Sequence, residues 1–365
     1  MKVLQILTEL GPGGAERVVL DLSAQLLERS HSVSLISLKS PPENKSLEDA
    51  FLALGIVPGF LHLDGFRDLS RIFLLRRRIR AIAPDIIHTH LMHPNLLTRI
   101  AAAGLSIPLL NTIHISERRK GKGLFFRLDS LTFPLCSACN AVSFASARFH
   151  EQALGLPAGT IQVIYNGVDP LPRPADPVLA ARRAEWGMET CSRIIGAVGR
   201  LDWQKGFDLL LRLLPEISAA IPPSERWGLV ILGEGPQRAE LESLAAAAPE
   251  NLIVRLPGFR TDAPQMAWLF DVFVMPSRYE GYGLSLAEAM TTGVPVVVNP
   301  VDSLPEICRF YRNGMFADFS SPEKRKETAE RIVEAAFRER IAPQVISTRR
   351  EMANRYIRLY DHLLR

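Results

Sequence analysis

The chain has 365 residues, 47% hydrophobic and 22% charged, with a formal net charge of +4. That balance suits a globular protein of two domains and excludes disordered, fibrous and repeat classes. The charge is too mild to imply nucleic acid, and no apolar run approaches the roughly 20 residues that span a bilayer.

The positive excess lies in the first half. Residues 1–170 hold 18 Lys+Arg against 14 Asp+Glu, whereas residues 171–365 hold 25 of each. Lys2 leads straight into a short strand and a glycine turn, so no signal peptide is expected. Strand-like runs at Lys2–Leu7, Val33–Leu38, Asp85–His90, Leu109–His114, Ala141–Phe144 and Ile161–Tyr165 alternate with amphipathic runs such as Glu16–Arg29 and Ser70–Ile82. Such alternation predicts a parallel sheet covered by helices on both faces.

Several stretches of this half carry candidate chemistry. The turn Gly11-Pro12-Gly13-Gly14-Ala15-Glu16 follows the first strand, and Gly13 and Gly14 would let a ligand approach the backbone. It is not the dinucleotide motif, because Glu16 stands where the third glycine belongs. Helix Ser70–Ile82 places Ile72, Leu75, Ile79 and Ile82 on one stripe and Arg71, Arg76, Arg77, Arg78 and Arg80 elsewhere. His88 and His90 share a strand face with His93 close by, yet no carboxylate or cysteine completes a metal set. His114 ends its strand, where it can meet a ligand or serve as a structural histidine. Arg118, Arg119, Lys120 and Lys122 follow, flanked by Leu124, Phe125 and Phe126, a mixture that suits an anionic membrane surface. Cys136, Cys139, Cys191 and Cys308 read as buried free thiols of a reducing cytoplasm.

Four prolines among residues 170–177 make a stiff linker. The alternation then resumes, with strands near Arg193–Val198, Gly228–Leu232, Leu252–Leu256, Asp271–Met275 and Pro295–Asn299. The loop Gly199–Gly206 carries Arg200 and Lys205, a planar fork and a point charge suited to a diphosphate. Gly233-Glu234-Gly235-Pro236 reads as a turn that starts a helix at Pro236. In the stretch Asp271–Glu306, Glu280 lies in a loop and Glu288 in the second turn of a helix opening at Gly283 and Leu284 and ended by Gly293. The two carboxylates are separated by roughly 7 Å along the helical part, with a helix N-terminus between them that favours an anion. The last run, Arg349–Leu364, is helical, with Met352, Tyr356, Leu359, Tyr360 and Leu363 near one face.

Taken together, the motifs resemble the retaining GT-B glycosyltransferases of family 4 (glycosyl transferases group 1). The most specific match is Glu280-x7-Glu288 within PSRYEGYGLSLAEAMTTGVPVV. GRLDWQKGFDLLL, ILGEGPQRAEL, NGVD, PDIIHTH and GGAER follow the same pattern in order. The resemblance implies two Rossmann-like, doubly wound domains facing each other across a cleft. Residues 1–170 would form the acceptor side, 171–345 would bind the donor, and the terminal helix, 346–365, would return to the first domain.

It also implies roles for single residues. Arg200 and Lys205 would hold the donor diphosphate, and Glu288 the ribose hydroxyls. Glu280 would contact the sugar, and Gly14 and His114 would reach in from the first domain. The family's usual glycine pair is replaced here by Val301-Asp302-Ser303-Leu304-Pro305-Glu306, which bears on the fit of the sugar ring.

The implied activity is metal-independent transfer from a nucleotide sugar, with UDP the expected nucleotide, to a glycan or lipid-linked acceptor in cell-envelope polysaccharide, lipopolysaccharide or glycolipid assembly. No cofactor or D-x-D metal motif is expected, and the location would be cytoplasmic or peripheral on the inner face of the membrane. The alternatives are a non-catalytic nucleotide-sugar-binding or partner subunit, or another chemistry of this architecture such as an epimerase or a phosphorylase.

Overall fold

The computed structural model describes residues 1–63, 70–116, 123–309 and 311–365. The chain divides into two units, Met1–Gly167 with Ser347–Arg365, and Val168–Ile346.

Among the described residues the first unit holds a seven-stranded sheet. Its strands are β1 (Lys2–Leu7), β2 (Ser32–Ser37), β3 (Gly59–Phe60), β4 (Ile86–His90), β5 (Leu109–Ile113), β6 (Ala138–Ala141) and β7 (Gln162–Val163). They run in the order β3-β2-β1-β4-β5-β6-β7 with parallel pairing throughout. The strand order reverses between β1 and β4, and ligands of such sheets bind at the carboxyl ends beside that reversal. One apolar layer, with Leu4, Ile6, Leu75, Ile79 and Ile87, covers one face. Another, with Leu7, Leu10, Val19 and Phe51, covers the other.

The C-terminal helix Arg349–Leu363 belongs to this unit, and Thr348 and Glu351 form a reciprocal cap at its start. Met352, Tyr356, Leu359 and Tyr360 are buried, and Arg349 Nε lies 3.2 Å from Asp21. Backbone contact is close at Gly167, where an added Cβ would stand 2.5 Å from Arg349 Cα.

The second unit holds, among its described residues, a six-stranded sheet. It comprises β8 (Arg193–Val198), β9 (Trp227–Leu232), β10 (Leu252–Gly258), β11 (Val272–Met275), β12 (Val296–Val298) and β13 (Gly314–Phe316). The order is β10-β9-β8-β11-β12-β13, again parallel, with the reversal between β8 and β11. Buried Ile195, Trp227, Leu229, Val272, Val274 and Val297 lie in one apolar cluster with the helices. Strands buried on both faces read as continuous apolar runs, which is why β11 and β12 stand out in the sequence.

Some expectations need correction. The strand expected at Ala141–Phe144 lies three residues earlier, at Ala138–Ala141, because Ser143 caps the helix Phe144–Leu154 by accepting from the Ser146 amide at 3.1 Å. The helix expected at Pro236 begins at Arg238. The run after Gly283 is helical only over Leu284–Met290, since the Thr291 and Thr292 hydroxyls donate back to Glu288 O and Ala289 O. All four cysteines are free, but Cys136 is only part-buried.

Candidate active site

The reversal in the second sheet brings together the loops after β8 and β11, and with them two of the residues singled out in the sequence. Lys205 closes a single turn Trp203–Lys205, opened by Asp202 accepting from Gln204 N at 3.1 Å. Its Nζ lies 2.5 Å from Glu280 Oε1. Glu280 is buried at 4% exposure, and Ser277 Oγ donates to the same carboxylate oxygen at 2.9 Å. A charged pair this far from water persists only when its remaining hydrogen-bonding capacity is met, and these loops supply the partners.

The Glu280 backbone is held as well. Its amide donates to Asp302 Oδ2 at 3.0 Å, and Ser303 Oγ donates to its carbonyl at 3.4 Å. Asp302 and Ser303 belong to the segment that departs from the family's glycine pair. Asp302 adopts φ +44, a conformation uncommon for a residue with a Cβ. The departure therefore has a structural role: the side chain takes a left-handed backbone and uses its carboxylate to fix the Glu280 loop.

Further bonds tie the loops into one block. Gln204 Nε2 donates to Tyr279 O at 3.1 Å, and Asn299 Nδ2 donates to Ser277 O at 3.0 Å. Arg278 forms a forked pair with Asp208 at 2.8 and 2.7 Å and lies over the Trp203 ring, 4.9 Å from its centroid. Burial pushes the Asp208 carboxyl up, and the Arg278 hydrogen bonds and charge more than reverse this, leaving it below its usual range.

Arg200 stands apart from that block. Its side chain is 55% exposed and pairs with Asp202 at 3.0 Å. The turn Gly233–Gly235 braces the Arg200 loop. A Cβ on Gly233 would sit 1.9 Å from Gly199 O, and one on Gly235 would sit 2.4 Å from Leu201 O. Leu201 N donates to Glu234 O, and Gln237 N donates to Leu201 O. Gly283, at φ +84, opens the helix that carries Leu284 and the part-exposed Glu288. No side chain caps that helix start.

In the first unit the glycine turn behaves differently from expectation. The room left by Gly13 is filled by the chain's own Glu16, whose carboxylate would lie 2.2 Å from an added Cβ. Gly14 is the first residue of the helix Gly14–Glu28. The histidines lie in a buried polar network at the ends of β4 and β5. His88 bonds Tyr360 OH and Thr112 Oγ1, each at 2.6 Å, and Thr112 donates to Asn140, whose Nδ2 donates to Tyr356 OH at 3.0 Å. His90 bonds Gln5 Oε1 at 2.7 Å and His114 Nε2 at 2.9 Å. Burial holds all three imidazoles below their usual value, well below for His88 and His90, and at about 3 for His114. His114 is itself only part-buried and lines a cavity of about 20 Å³ with Met92, Asn95 and His150. His93 stacks edge-on against Phe125 at 5.2 Å.

The network was not legible in the sequence, nor was the buried pair Arg99–Asp129, with Arg99 Nε donating to Asn111 at 2.6 Å. Arg118, Arg119, Lys120 and Lys122 lie outside the described residues. Helix Ser70–Ile82 packs its apolar stripe on the core, with Leu75 and Ile79 buried and Ile72 and Ile82 against them. Arg76 donates to Ala101 O and Ala103 O, at the end of the neighbouring helix. Among the described residues no helix is long and apolar enough to cross a membrane.

Two all-parallel sheets, with charged residues of one constellation gathered at a strand-order reversal, define a doubly wound α/β protein with a candidate ligand site at that reversal. Comparison with known proteins agrees. Residues 12–170 match the model "Glycosyltransferase Family 4", and residues 192–335 match "Glycosyl transferases group 1". The chain belongs to the GT-B glycosyltransferases that these two models describe.

Among its relatives is an uncharacterized glycosyltransferase of Methanocaldococcus jannaschii, 28% identical over 70% of this chain and 68% of the relative. Another, from Escherichia coli, is a UDP-Gal:alpha-D-GlcNAc-diphosphoundecaprenol alpha-1,3-galactosyltransferase, 28% identical over 79% of this chain and 76% of the relative. The crystal structure of Anabaena HepE in complex with UDP and glucose shares the fold, with a TM-score of 0.77 and 21% identity over 100% of this chain and 98% of that one.

Proposed function

We propose that the chain transfers a sugar, with retained anomeric configuration and without a metal ion, from a UDP-sugar to a glycan or lipid-linked acceptor of cell-envelope polysaccharide, lipopolysaccharide or glycolipid assembly. The observation that carries this reading is the Lys205–Glu280 pair, held at the sheet reversal by Ser277, Asp302 and Ser303. The E. coli relative's name specifies a UDP-sugar donor and a diphosphoundecaprenol-linked acceptor, and the Anabaena protein that shares the fold was solved with UDP and glucose.

In this reading Arg200 and Lys205 face the donor diphosphate, together with the amides that open the helix at Gly283 and Leu284. As the sugar bond breaks, negative charge grows on the leaving nucleoside diphosphate. Fixed positive groups stabilise that charge without needing to reorganise. Glu280 takes a sugar hydroxyl and orients Lys205, and Glu288 accepts from the ribose hydroxyls; in the first unit, Gly14 and His114 are the residues assigned to the ligand. The acceptor hydroxyl attacks on the face that the diphosphate leaves, and its proton passes to the departing diphosphate oxygen.

The same reading places the chain on the cytoplasmic side of the membrane, near anionic lipid. The sequence cluster Arg118, Arg119, Lys120 and Lys122 supports this, as do the exposed Leu124, Leu128 and Leu131 of helix Gly123–Thr132.

The deciding experiment incubates the protein with a panel of nucleotide sugars and lipid-diphosphate acceptors, with and without a chelator, and reads the product's anomeric configuration by proton NMR. A retained product formed in chelator is expected. Inverted product, or activity that requires added magnesium or manganese, would overturn the mechanism. Nucleotide binding without any product would leave a binding subunit as the better account.

A further inference from the structure

The buried chain Gln5–His90–His114 crosses three strands, and its chemistry sets a direction for every hydrogen in it. Gln5 and His90 are fully buried, on β1 and β4 respectively, and His114 directly follows β5. With the Gln5 amide oxygen turned to His90, an orientation that leaves Gln5 Nε2 buried without a partner, Oε1 accepts and the 2.7 Å bond places the His90 proton on Nε2. A neutral His90 then offers a bare Nδ1. The 2.9 Å contact from that atom to His114 Nε2 therefore needs the proton to come from His114.

His90 cannot easily turn over. Its ring lies 4.0 Å from that of His88, which is itself bonded on both nitrogens, to Tyr360 and Thr112. Among the described residues no hydrogen bond engages His114 Nδ1, on a ring that is only part-buried and borders a cavity.

We infer that Gln5 and His90 are positioning residues that lock His114 as a neutral imidazole with its proton on Nε2, so that Nδ1 meets the ligand as a hydrogen-bond acceptor. This inference rests on the proposed transferase reading for its ligand, and on the geometry alone for its tautomer. His114 would then select a group with a proton to give, a hydroxyl, and would reject the oxygen of a phosphate or carboxylate, which can only accept. It would bring neither positive charge nor a transferable proton to the reaction. Burial keeps the three rings from becoming cations, in line with this role.

The test begins with long-range proton–nitrogen NMR on protein carrying 15N-histidine, with the His114 signals assigned by their loss in His114→Phe. Neutral His114 protonated on Nε2 at pH 7 is expected. Protonation on Nδ1, or an imidazolium, would overturn the inference. Gln5→Leu and His90→Leu should release the tautomer into a mixture. His90→Asn, whose amide oxygen can replace Nδ1 as the acceptor, should restore it.

In transfer assays with the best nucleotide sugar from the panel, His90→Leu should lower kcat by about tenfold or more, the scale expected when a contacting group loses its orientation. His90→Asn should recover most of the loss, with nucleoside diphosphate affinity unchanged in both. A correct tautomer combined with full turnover in His90→Leu would refute the positioning role. Absence of transfer by the parent protein with every donor would instead defeat the transferase reading, and the spectra would still decide the relay.

Discussion

Lys205 and Glu280, 75 positions apart, form one ion pair, with Nζ 2.5 Å from Oε1 and side chains only 19% and 5% exposed. Each therefore conditions the other's chemistry. Removing either charge leaves the other poorly solvated, so Lys205→Ala and Glu280→Gln should not add. A double-mutant cycle in urea unfolding is expected to give a coupling of about 1–3 kcal/mol. Additive effects within error would mean that the pair is too wet to matter.

For turnover the same pair divides from Arg200. Lys205→Ala and Arg200→Ala should each raise the transfer barrier by about 2–4 kcal/mol, because both are assigned to charge that grows in the transition state. Arg200→Ala should leave folding nearly untouched, since its side chain is half exposed and its partner Asp202 also forms the loop turn. Near-normal transfer by both variants would remove them from the site.

Asp302 gives a sharper contrast, because two terms oppose each other. Asp302→Gly relieves a left-handed backbone, worth about 1–3 kcal/mol, and loses an accepted hydrogen bond, worth about 1–3 kcal/mol. Thermal stability should therefore change little, while transfer falls because the Glu280 amide is no longer held. Equal activity of parent and variant, measured at several donor concentrations, would show that Asp302 serves only the loop's fold.

These relationships separate what the sequence could show from what it could not. Helix Ser70–Ile82 keeps its predicted bounds because one apolar stripe decides both its period and its packing. Strands β8 and β11 follow from runs that are apolar on both faces. The edge strands Gly59–Phe60 and Gly314–Phe316 were not legible, being too short to show a period. Arg200, Lys205, Glu280 and Glu288 stood out by residue type and spacing, but the Lys205–Glu280 bond arises from the strand-order reversal, which no local pattern encodes. Gln5 and His90, 85 positions apart, meet for the same reason. Glu16 over Gly13 has a local signal, since a carboxylate three residues beyond a helix-opening glycine can curl back onto it.

The two glutamates should separate binding from transfer. Glu288→Gln replaces a carboxylate with a poorer acceptor for ribose hydroxyls and should weaken UDP binding, by about 1.5–3 kcal/mol if the charged hydrogen bonds are lost. Glu280→Gln removes the carboxylate paired with Lys205 but leaves the Lys205 charge for the diphosphate, so UDP affinity should not fall while transfer is lost. Calorimetry showing both variants binding UDP like the parent would defeat the role given to Glu288.

The histidine network makes the first unit sensitive to acid. Burial is the main cause that keeps His88, His90 and His114 below the usual imidazole value, with their closeness to one another adding for His88 and His90. The groups bonded to them are Gln5, Thr112 and Tyr360, none of which is a carboxylate. The unfolded chain takes up protons near pH 6.5 and the folded one does not. Stability is thus complete above about pH 6.5 and declines as pH falls toward the native values, by up to about 1.4 kcal/mol per pH unit for each ring. Urea unfolding between pH 7 and 4.5 should show this slope, and a flat profile over that range would contradict the assigned charge states.

The last prediction concerns the membrane. Helix Gly123–Thr132 buries only Asp129, while Leu124, Leu128 and Leu131 are exposed at 71%, 42% and 77%. At spacings of four and three they fall on one face. Arg127 is exposed on the same helix, and Arg118, Arg119, Lys120 and Lys122 precede it in sequence. Leucines that enter the headgroup boundary and cations that meet acidic lipid reinforce each other, each cation contributing about 1 kcal/mol near an anionic surface. Phe125 and Phe126 do not belong to this face, since both are part-buried and stack on His93 and on Phe149. Sedimentation with vesicles rich in anionic lipid should therefore capture the protein at low salt and release much of it at high salt. Neutralising the four basic residues should remove the salt-sensitive part, and Leu124→Ser with Leu131→Ser should weaken what remains without altering nucleotide affinity. If parent and variants alike ignore the vesicles, the leucine face has another use and a water-soluble acceptor becomes the better account.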